Sequence, residues 1–421
     1  KLEPDAIEEV IRLNRRFAPY SGMPGRPIRF LESLLLKKPG TGGKIEITRG
    51  EVIERFSEET GLPQFMIDPE IPLPLEKIKA EFNEKVAGQE SAVDNVLNML
   101  ATVKTALSRT EKPIASYLFV GPTGVGKTEL AKVLSEFMFG NQDRMIRFDM
   151  SEYKNFGSIM RLTGTSFFED GLLTSAVRRE PFSVLLFDEI EKADRGIFDL
   201  LLQVLDEGRL SDSQGKTVNF CSTIIIMTSN LGASNLKNNR ISWKSEIDAE
   251  EIQNHFENAV RKNLRPEFFN RIDRIIPFSP LSESVIAKIV KREIAQLQKR
   301  EGVKFRNLEL DLDTSVYDYL AINGYNSQYG ARYLQRTIRE ALIVSLSRHL
   351  NILEFKNETK VNITASEKNG IEFEIESNER ELDDWLEEIN KIKDADHASG
   401  LRRRMERLMG NKIYVYILAQ L

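Results

Sequence analysis

A single cysteine, Cys221, stands in a chain of 421 residues, which excludes an internal disulfide and fits a reducing compartment. It adjoins the apolar run Thr223 to Met227, so a buried structural thiol is expected rather than a nucleophile. The three histidines, His255, His349 and His397, lie too far apart for zinc-type spacing. No apolar stretch approaches the roughly 18 residues of a membrane span, and no signal peptide opens the chain. No membrane partner is therefore expected, and a cytoplasmic location is the default. Charge of neither sign dominates: 59 basic against 64 acidic residues leave a net charge of −5. That balance exerts no global pull toward nucleic acid, and Arg402-Arg403-Arg404 is followed by Glu406 rather than set in an extended basic face. The start at Lys1, without methionine, reads as a fragment or a processed product. The length suffices for two or three domains.

What is present is a phosphate-binding pattern. Gly121-Pro122-Thr123-Gly124-Val125-Gly126-Lys127-Thr128 fits G-x-x-x-x-G-K-[ST] at every fixed position. Glycines let consecutive N–H groups turn toward an anion, Lys127 reaches the β- and γ-phosphates, and Thr128 offers its hydroxyl to Mg²⁺. The apolar run Tyr117 to Val120 precedes the loop, and helical spacing from Glu129 to Leu134 follows it, so the phosphates would meet a helix N-terminus. The alternative, a glycine-rich turn that binds nothing, is disfavoured by that flanking strand and helix. A second glycine-rich passage, Lys38 to Lys44, fails the pattern because Ile45 follows its lysine.

Five apolar runs, at 117–120, 145–148, 184–187, 223–227 and 274–278, alternate with helical segments. They imply an α/β fold with a five-stranded parallel sheet between helices. From about 281 the chain is helical, closing with strand-like Lys360–Ile363 and Ile371–Ile375, as a mostly helical small lid domain. Residues 1–37 read as helical, 38–80 as a linker with a short helix from about Arg49 to Thr60, 81–280 as the α/β domain, 281–375 as the lid and 376–421 as a charged helical extension. The run Val184-Leu185-Leu186-Phe187 ends in Asp188-Glu189. In a phosphate-loop enzyme the first such acid holds Mg²⁺ and the second polarises the attacking water. Asn230 ends a further apolar run, where an amide contacts both the γ-phosphate and that water, or simply turns the chain. Arg271 is either a salt-bridging surface arginine or a cation offered to a neighbouring subunit's transition state. Gly330-Ala331-Arg332 supplies another cation able to fold over a nucleotide.

Val86-Ala87-Gly88-Gln89, the phosphate loop, Asp188-Glu189, Thr228-Ser229-Asn230, Arg265 to Arg271 and Gly330-Ala331-Arg332 occur in this order. Together they resemble the second AAA+ module of the Clp heat-shock ATPases, the ClpA/ClpB type, over residues 81 to 375. Phe148 to Tyr153 and Leu200 to Gly208 resemble that subfamily more than AAA+ proteins at large. The resemblance implies ATP and ADP as ligands with Mg²⁺, and an ATP-hydrolysing, ring-forming protein remodeller. Gly121 to Thr128 would be the Walker A loop, Asp188 and Glu189 Walker B, and Asn230 sensor 1. Arg271 would be the arginine finger, Arg332 sensor 2, and Val86, Gly88 and Gln89 the border of the adenine. Thr128 and Asp188 would serve the metal. Because the finger acts between subunits, the implied partner is a second copy in a ring, commonly a hexamer, with the protein client undefined. Residues 2 to 60 resemble the tail of a preceding module.

Three departures bear on function. The family's second modules carry a Gly-Tyr-Val-Gly type pore loop, whereas Arg161 to Gly171 runs into Leu172-Leu173-Thr174 several residues short. Phe167 or Phe168 either substitutes for the missing aromatic or packs. The shortening supports an alternative reading, an ATP-gated assembly or regulatory scaffold that does not thread polypeptide. No Ile-Gly-Phe or Ile-Gly-Leu tripeptide lies between Asn230 and Arg265, which disfavours a ClpP-type peptidase partner. No long coiled-coil insertion precedes residue 81, which counts against disaggregation with a co-chaperone. In the extension, Leu382, Trp385, Leu386, Ile389 and Ile392 share a helical face. This face is either a surface helix or a docking arm. If it docks, deleting 376–421 changes sedimentation or partner capture, and unchanged behaviour in both assays removes that role.

Overall fold

The computed structural model describes residues 3–17, 24–37, 46–105, 111–155, 157–165, 169–233, 249–305, 308–326, 330–352, 359–366 and 368–377. Phe167, Phe168, the linker 38–45 and the face of the C-terminal extension lie outside these residues. The chain divides into two compact units, Lys1–Ile286 with Tyr325–Tyr333, and Ala287–Gly324 with Leu334–Leu421.

The first unit is organised by a parallel sheet of β1 (Ala115–Val120), β2 (Met145–Asp149), β5 (Val184–Asp188), β8 (Ile224–Ser229) and β9 (Arg274–Pro277), in the order β2-β5-β8-β1-β9. Between β2 and β5 lies a short antiparallel pair, β3 (Gly164–Thr165) with β4 (Glu169–Asp170), and between β5 and β8 another, β6 (Arg209–Ser211) with β7 (Thr217–Asn219). The three inner strands β5, β8 and β1 are buried at every residue, as expected for strands covered on both faces. The outer strands β2 and β9 keep exposed positions at Arg147 and Arg274. Aromatic side chains also pack between neighbouring strands. Phe119 lies 5.1 Å from Phe278 between ring centres, and Phe148 stacks on Phe187 at 5.5 Å.

Register then places the strand ends. Val120 pairs with Ser229 across β1 and β8, and Phe187 with Met227 across β5 and β8. The residues that follow β1, close β5 and follow β8 therefore emerge side by side. Beyond β1 the chain enters the helix Lys127–Phe139, and beyond β5 it turns through Ile190–Lys192 into the helix Arg195–Glu207.

The N-terminal helices of this unit are Pro4–Phe17, Gly25–Lys37, Arg49–Thr60 and Gln64–Ile67. A reciprocal capping box between Thr48 and Glu51 starts the third, and Gly61 stops it at φ +71°. Phe56 receives Phe17 and Phe30 at ring separations of 5.7 and 5.9 Å. Arg49 bonds Asp68 at 2.6 Å and approaches the buried Glu9, which also takes Arg12. The segment is clasped to the sheet region by backbone acceptors: Arg16 donates to Val103 O, and Lys104 to Phe65 O and Asp68 O. Cys221, expected to be buried, is only half-buried, with its Sγ 3.7 Å from Gly208 O beside the β6–β7 pair.

In the second unit, β10 (Leu308–Leu312) runs parallel to β11 (Thr359–Ser366), which pairs antiparallel with β12 (Gly370–Ser377). The strand-like stretches at 360–363 and 371–375 thus belong to β11 and β12, and β10 joins them. A π-helical turn, Ile338–Val344, precedes the helix Ser345–Ile352. Among the described residues, no helix is long and apolar enough to cross a membrane.

Because Phe119 is wholly buried in an inner strand and packs on Phe278, Phe119→Ala removes an entire ring from a tightly packed core. Unfolding in urea should show a loss of about 3–5 kcal/mol. A loss under 1 kcal/mol would mean that the layer collapses around the gap.

Candidate functional site

The loop after β1 departs from ordinary backbone where the sequence supplies glycine. Gly121 and Gly126 have φ of +153° and +108°. A side chain at 121 would also put its Cβ 2.5 Å from Phe278 O. Glycine is therefore required by both conformation and close approach. Gly126 caps the helix that begins at Lys127, and Thr128 stands in its first turn. Ala331 N donates to Gly124 O at 2.9 Å, which brings the Gly330-Ala331-Arg332 segment against the loop, with Arg332 exposed.

Lys127 is buried, and its ammonium donates to Gly121 O, to Pro122 O at 2.9 Å and to Asn230 Oδ1 at 2.9 Å. Burial pushes it down from 10.5 to about 8; Glu191, Asp188 and Glu189 oppose that shift, while Arg332 adds to it. Thr123 also reaches Asn230 Oδ1, at 3.4 Å.

The carboxylates are held differently. Asp188 is buried, taking the Thr228 hydroxyl on Oδ1 and Arg147 Nη2 on Oδ2. Glu189 follows at φ +57°, ψ +52°, the one non-glycine with positive φ among the described residues. That left-handed turn costs about 1 kcal/mol or more, and such outliers gather where function over-determines the backbone. The Thr228 hydroxyl supports the turn by accepting Glu189 N–H at 3.0 Å. Glu189 Oε2 meets Lys192 at 2.5 Å, and Oε1 receives Asn230 Nδ2 at 3.4 Å. Asn230 thus bridges the lysine and the second carboxylate. Its own N–H donates to Glu191 Oε1 at 3.1 Å.

Lys127, Asp188, Glu189 and Asn230 therefore come together, as the sequence pattern requires. Val86 borders the loop as well, 3.3 Å from where a side chain on Gly126 would begin. Gln89 spends both ends of its amide on Ser279, donating to its O at 2.8 Å and accepting its N–H at 3.0 Å. The Ser279 backbone thereby fixes the orientation of the Gln89 amide beside Gly88. Arg271 is not brought to this cluster. Its Nε pairs with Asp206 at 2.5 Å, and its carbonyl accepts the Ser116 hydroxyl at the start of β1. The phosphate loop follows the other end of that six-residue strand, roughly 17–20 Å away along it. Arg271 lines a separate cleft of about 310 Å³ with Lys112, Tyr117 and Arg274.

Sequence reasoning missed three contributors, Arg147, Glu191 and Lys192, and named Thr228 within the Thr228-Ser229-Asn230 run without giving it a role. Arg147 carried a signal, since a charged residue interrupts an otherwise apolar strand. Glu191 acts through a backbone N–H group and Thr228 through one besides its bond to Asp188, contacts that periodicity does not reveal.

Among the described residues, no cluster of three His, Cys, Asp or Glu could hold a metal by itself. A hydroxyl at 128 and a carboxylate at 188 are the oxygen donors expected for Mg²⁺, which keeps water and takes phosphate oxygens as its remaining ligands. The donor set fits that ion.

Two family models match the chain: the AAA domain (Cdc48 subfamily) over residues 112–275 and the C-terminal, D2-small domain of ClpB protein over residues 281–363. The chain is 40% identical over 318 residues to the chloroplastic chaperone protein ClpB3 of Arabidopsis thaliana, covering 74% of this chain and 33% of the relative. It is 43% identical over 309 residues to chaperone protein ClpB of Aquifex aeolicus, covering 70% and 30%. The chain thus spans about a third of the length of these curated relatives. Among solved structures, Hsp104 with ATPγS and FITC-casein in its closed state superposes with a TM-score of 0.77 at 30% identity, covering 89% of this chain and 64% of that one. The extended Hsp104–casein complex of S. cerevisiae gives 0.75 at 31% identity, covering 89% and 65%.

The buried ammonium makes stability pH-dependent. The folded pKa of Lys127 lies below the unfolded one, so between pH 8 and 10.5 the unfolded chain binds more protons and stability rises with pH. The cost is fully present below pH 8. Relative to Lys127→Met, the wild-type chain should gain about 3 kcal/mol across that window in chemical denaturation. Parallel pH curves for the two proteins would contradict the assignment.

Proposed function

Because the chain belongs to the ClpB-type AAA+ family, we propose that it is an ATP-hydrolysing, ring-forming protein remodeller whose second-module site is the cluster at Lys127, Asp188, Glu189 and Asn230. The observation that carries this reading is the Asn230 amide, which joins the phosphate-side ammonium to the water-side carboxylate through hydrogen bonds at 2.9 and 3.4 Å.

In the proposed mechanism the loop 121–126 and the following helix start receive the polyphosphate, and Lys127 exchanges its loop carbonyl partners for phosphate oxygens. Thr128 and Asp188 would hold Mg²⁺, which offsets phosphate charge when bound. Glu189 orients water for attack on the γ-phosphorus, and Asn230 keeps its carboxylate aligned with Lys127. Arg332 is assigned to the nucleotide as sensor 2, and Val86, Gly88 and Gln89 to the adenine side. Arg271 is assigned to the neighbouring subunit's nucleotide. Its distance from the site of its own chain supports that role, as does its place in a separate cleft.

We propose a domain division near 37, 80, 280 and 375, with the helix Leu75–Lys85 running across the second boundary and β12 reaching Ser377 past the last, together with a cytoplasmic location and a hexameric ring. The client is an unfolded polypeptide, the class represented by casein in the Hsp104 complexes. No observation on the described residues favours the scaffold alternative, and the two phenylalanines on which threading turns lie outside them.

Turnover of ATP per protomer should rise with protein concentration, because each site is completed by a second copy. Glu189→Gln should bind ATP with little change yet lower turnover by about 100-fold or more, whereas Lys127→Ala should weaken binding itself. Concentration-independent turnover would remove the ring requirement, and near-normal hydrolysis by Glu189→Gln would remove Glu189 from its role.

A further inference from the structure

Glu191 belongs to the turn that follows Asp188-Glu189, and neither the phosphate-loop pattern nor the carboxylate pair calls for an acid there. Its Oε1 accepts the backbone N–H of Asn230 at 3.1 Å, while its Oε2 is buried without a hydrogen-bond donor among the described residues. A buried carboxylate oxygen left unpaired is costly, so its retention needs a reason. Among the described residues this carboxylate's one hydrogen bond goes to the segment that presents the Asn230 amide, and its charge also faces the Lys127 ammonium. That segment leaves β8 at Ser229, whose Oγ accepts Leu231 N–H at 3.1 Å. Residues 229 to 231 are therefore pinned by two short side-chain contacts, one from within the segment and one from the turn after β5.

We propose that Glu191 is a positioning residue that orients the Asn230 amide by holding its backbone N–H, and so ties the sensor segment to the turn carrying Glu189. The inference rests on the ATPase reading above. The chain of contacts is short. Glu191 Oε1 fixes Asn230 N, Asn230 Oδ1 receives Lys127 at 2.9 Å, and Asn230 Nδ2 reaches Glu189 at 3.4 Å. Without the acceptor at 191 the Asn230 N–H is orphaned, and the amide plane can rotate away from both partners. Reacting groups misplaced by about 1 Å lose on the order of 100-fold in rate, without a matching loss of ground-state binding. The charge of Glu191 is not required for this role; a correctly placed acceptor is.

Glu191→Ala and Glu191→Gln separate these requirements in the full chain. Expected for Glu191→Ala is a kcat for ATP lowered by about 10- to 100-fold, with KM and the ADP dissociation constant within about threefold of wild type. Glu191→Gln, whose amide oxygen still accepts, should recover most of the rate. Hydrogen exchange gives a readout independent of turnover. Protection of the peptide containing Asn230 should fall in Glu191→Ala, persist in Glu191→Gln, and be unchanged elsewhere in the sheet. The proposal is overturned if Glu191→Ala keeps both rate and protection, or if Glu191→Gln is as impaired as Glu191→Ala. A wild-type chain that turns over no ATP would refute the ATPase reading, while the exchange pattern would still decide the positioning role of Glu191.

Discussion

The parallel register of β5, β8 and β1 is the constraint from which the rest of the site follows. Val120 stands opposite Ser229 and Phe187 opposite Met227, so three chain segments leave the sheet at one level and on one side. Had β8 slipped by a single residue, Thr228 and Ser229 would exchange faces, since neighbouring side chains in a strand point to opposite sides. The Thr228 hydroxyl would then no longer meet Asp188 and the Glu189 N–H. The complete burial of these strands prevents such a slip. Moving Ile224, Ile225 or Ile226 out of its place would disturb packing on both faces at once.

On that frame sits a compact balance of charge. Lys127 faces Glu191, Asp188 and Glu189, while Arg147 and Lys192 each hold one of the latter two carboxylates. Buried charges are tolerated when their partners are close and their remaining donors and acceptors are satisfied. Here most are. Asp188 is engaged on both oxygens and Lys127 by three acceptors, and the exception is Glu191 Oε2. These contacts hold the charged groups in defined relative positions.

The legible and illegible parts of this molecule divide along physical lines. Five apolar runs and the phosphate-loop spacing pointed directly to the sheet and to Lys127, because burial and backbone conformation leave marks in residue type. The alternation Leu308-Glu309-Leu310-Asp311-Leu312 also marks a strand, β10, yet it was absorbed into the helical reading of that region. The short pairs β3–β4 and β6–β7 are two or three residues per strand, too brief for any period to register. Contacts made by Thr228 and Glu191 to backbone N–H groups left no trace, because any acceptor of suitable length would look the same in sequence. Cys221 was read as buried from its apolar neighbours, although it lies in the turn before β8 rather than in the strand.

That thiol has a practical bearing on how the molecule can be labelled. It is the single cysteine, and its sulfur lies so near Gly208 that a methyl group there would come within 2.6 Å of it. Gly208 closes the helix whose Asp206 holds Arg271. A fluorophore attached through maleimide chemistry would therefore press on the end of that helix, two residues from the ion pair. Spectroscopy on a Cys221 conjugate would report on the Arg271 surface while disturbing it, and a serine replacement with a thiol introduced elsewhere is the more neutral background.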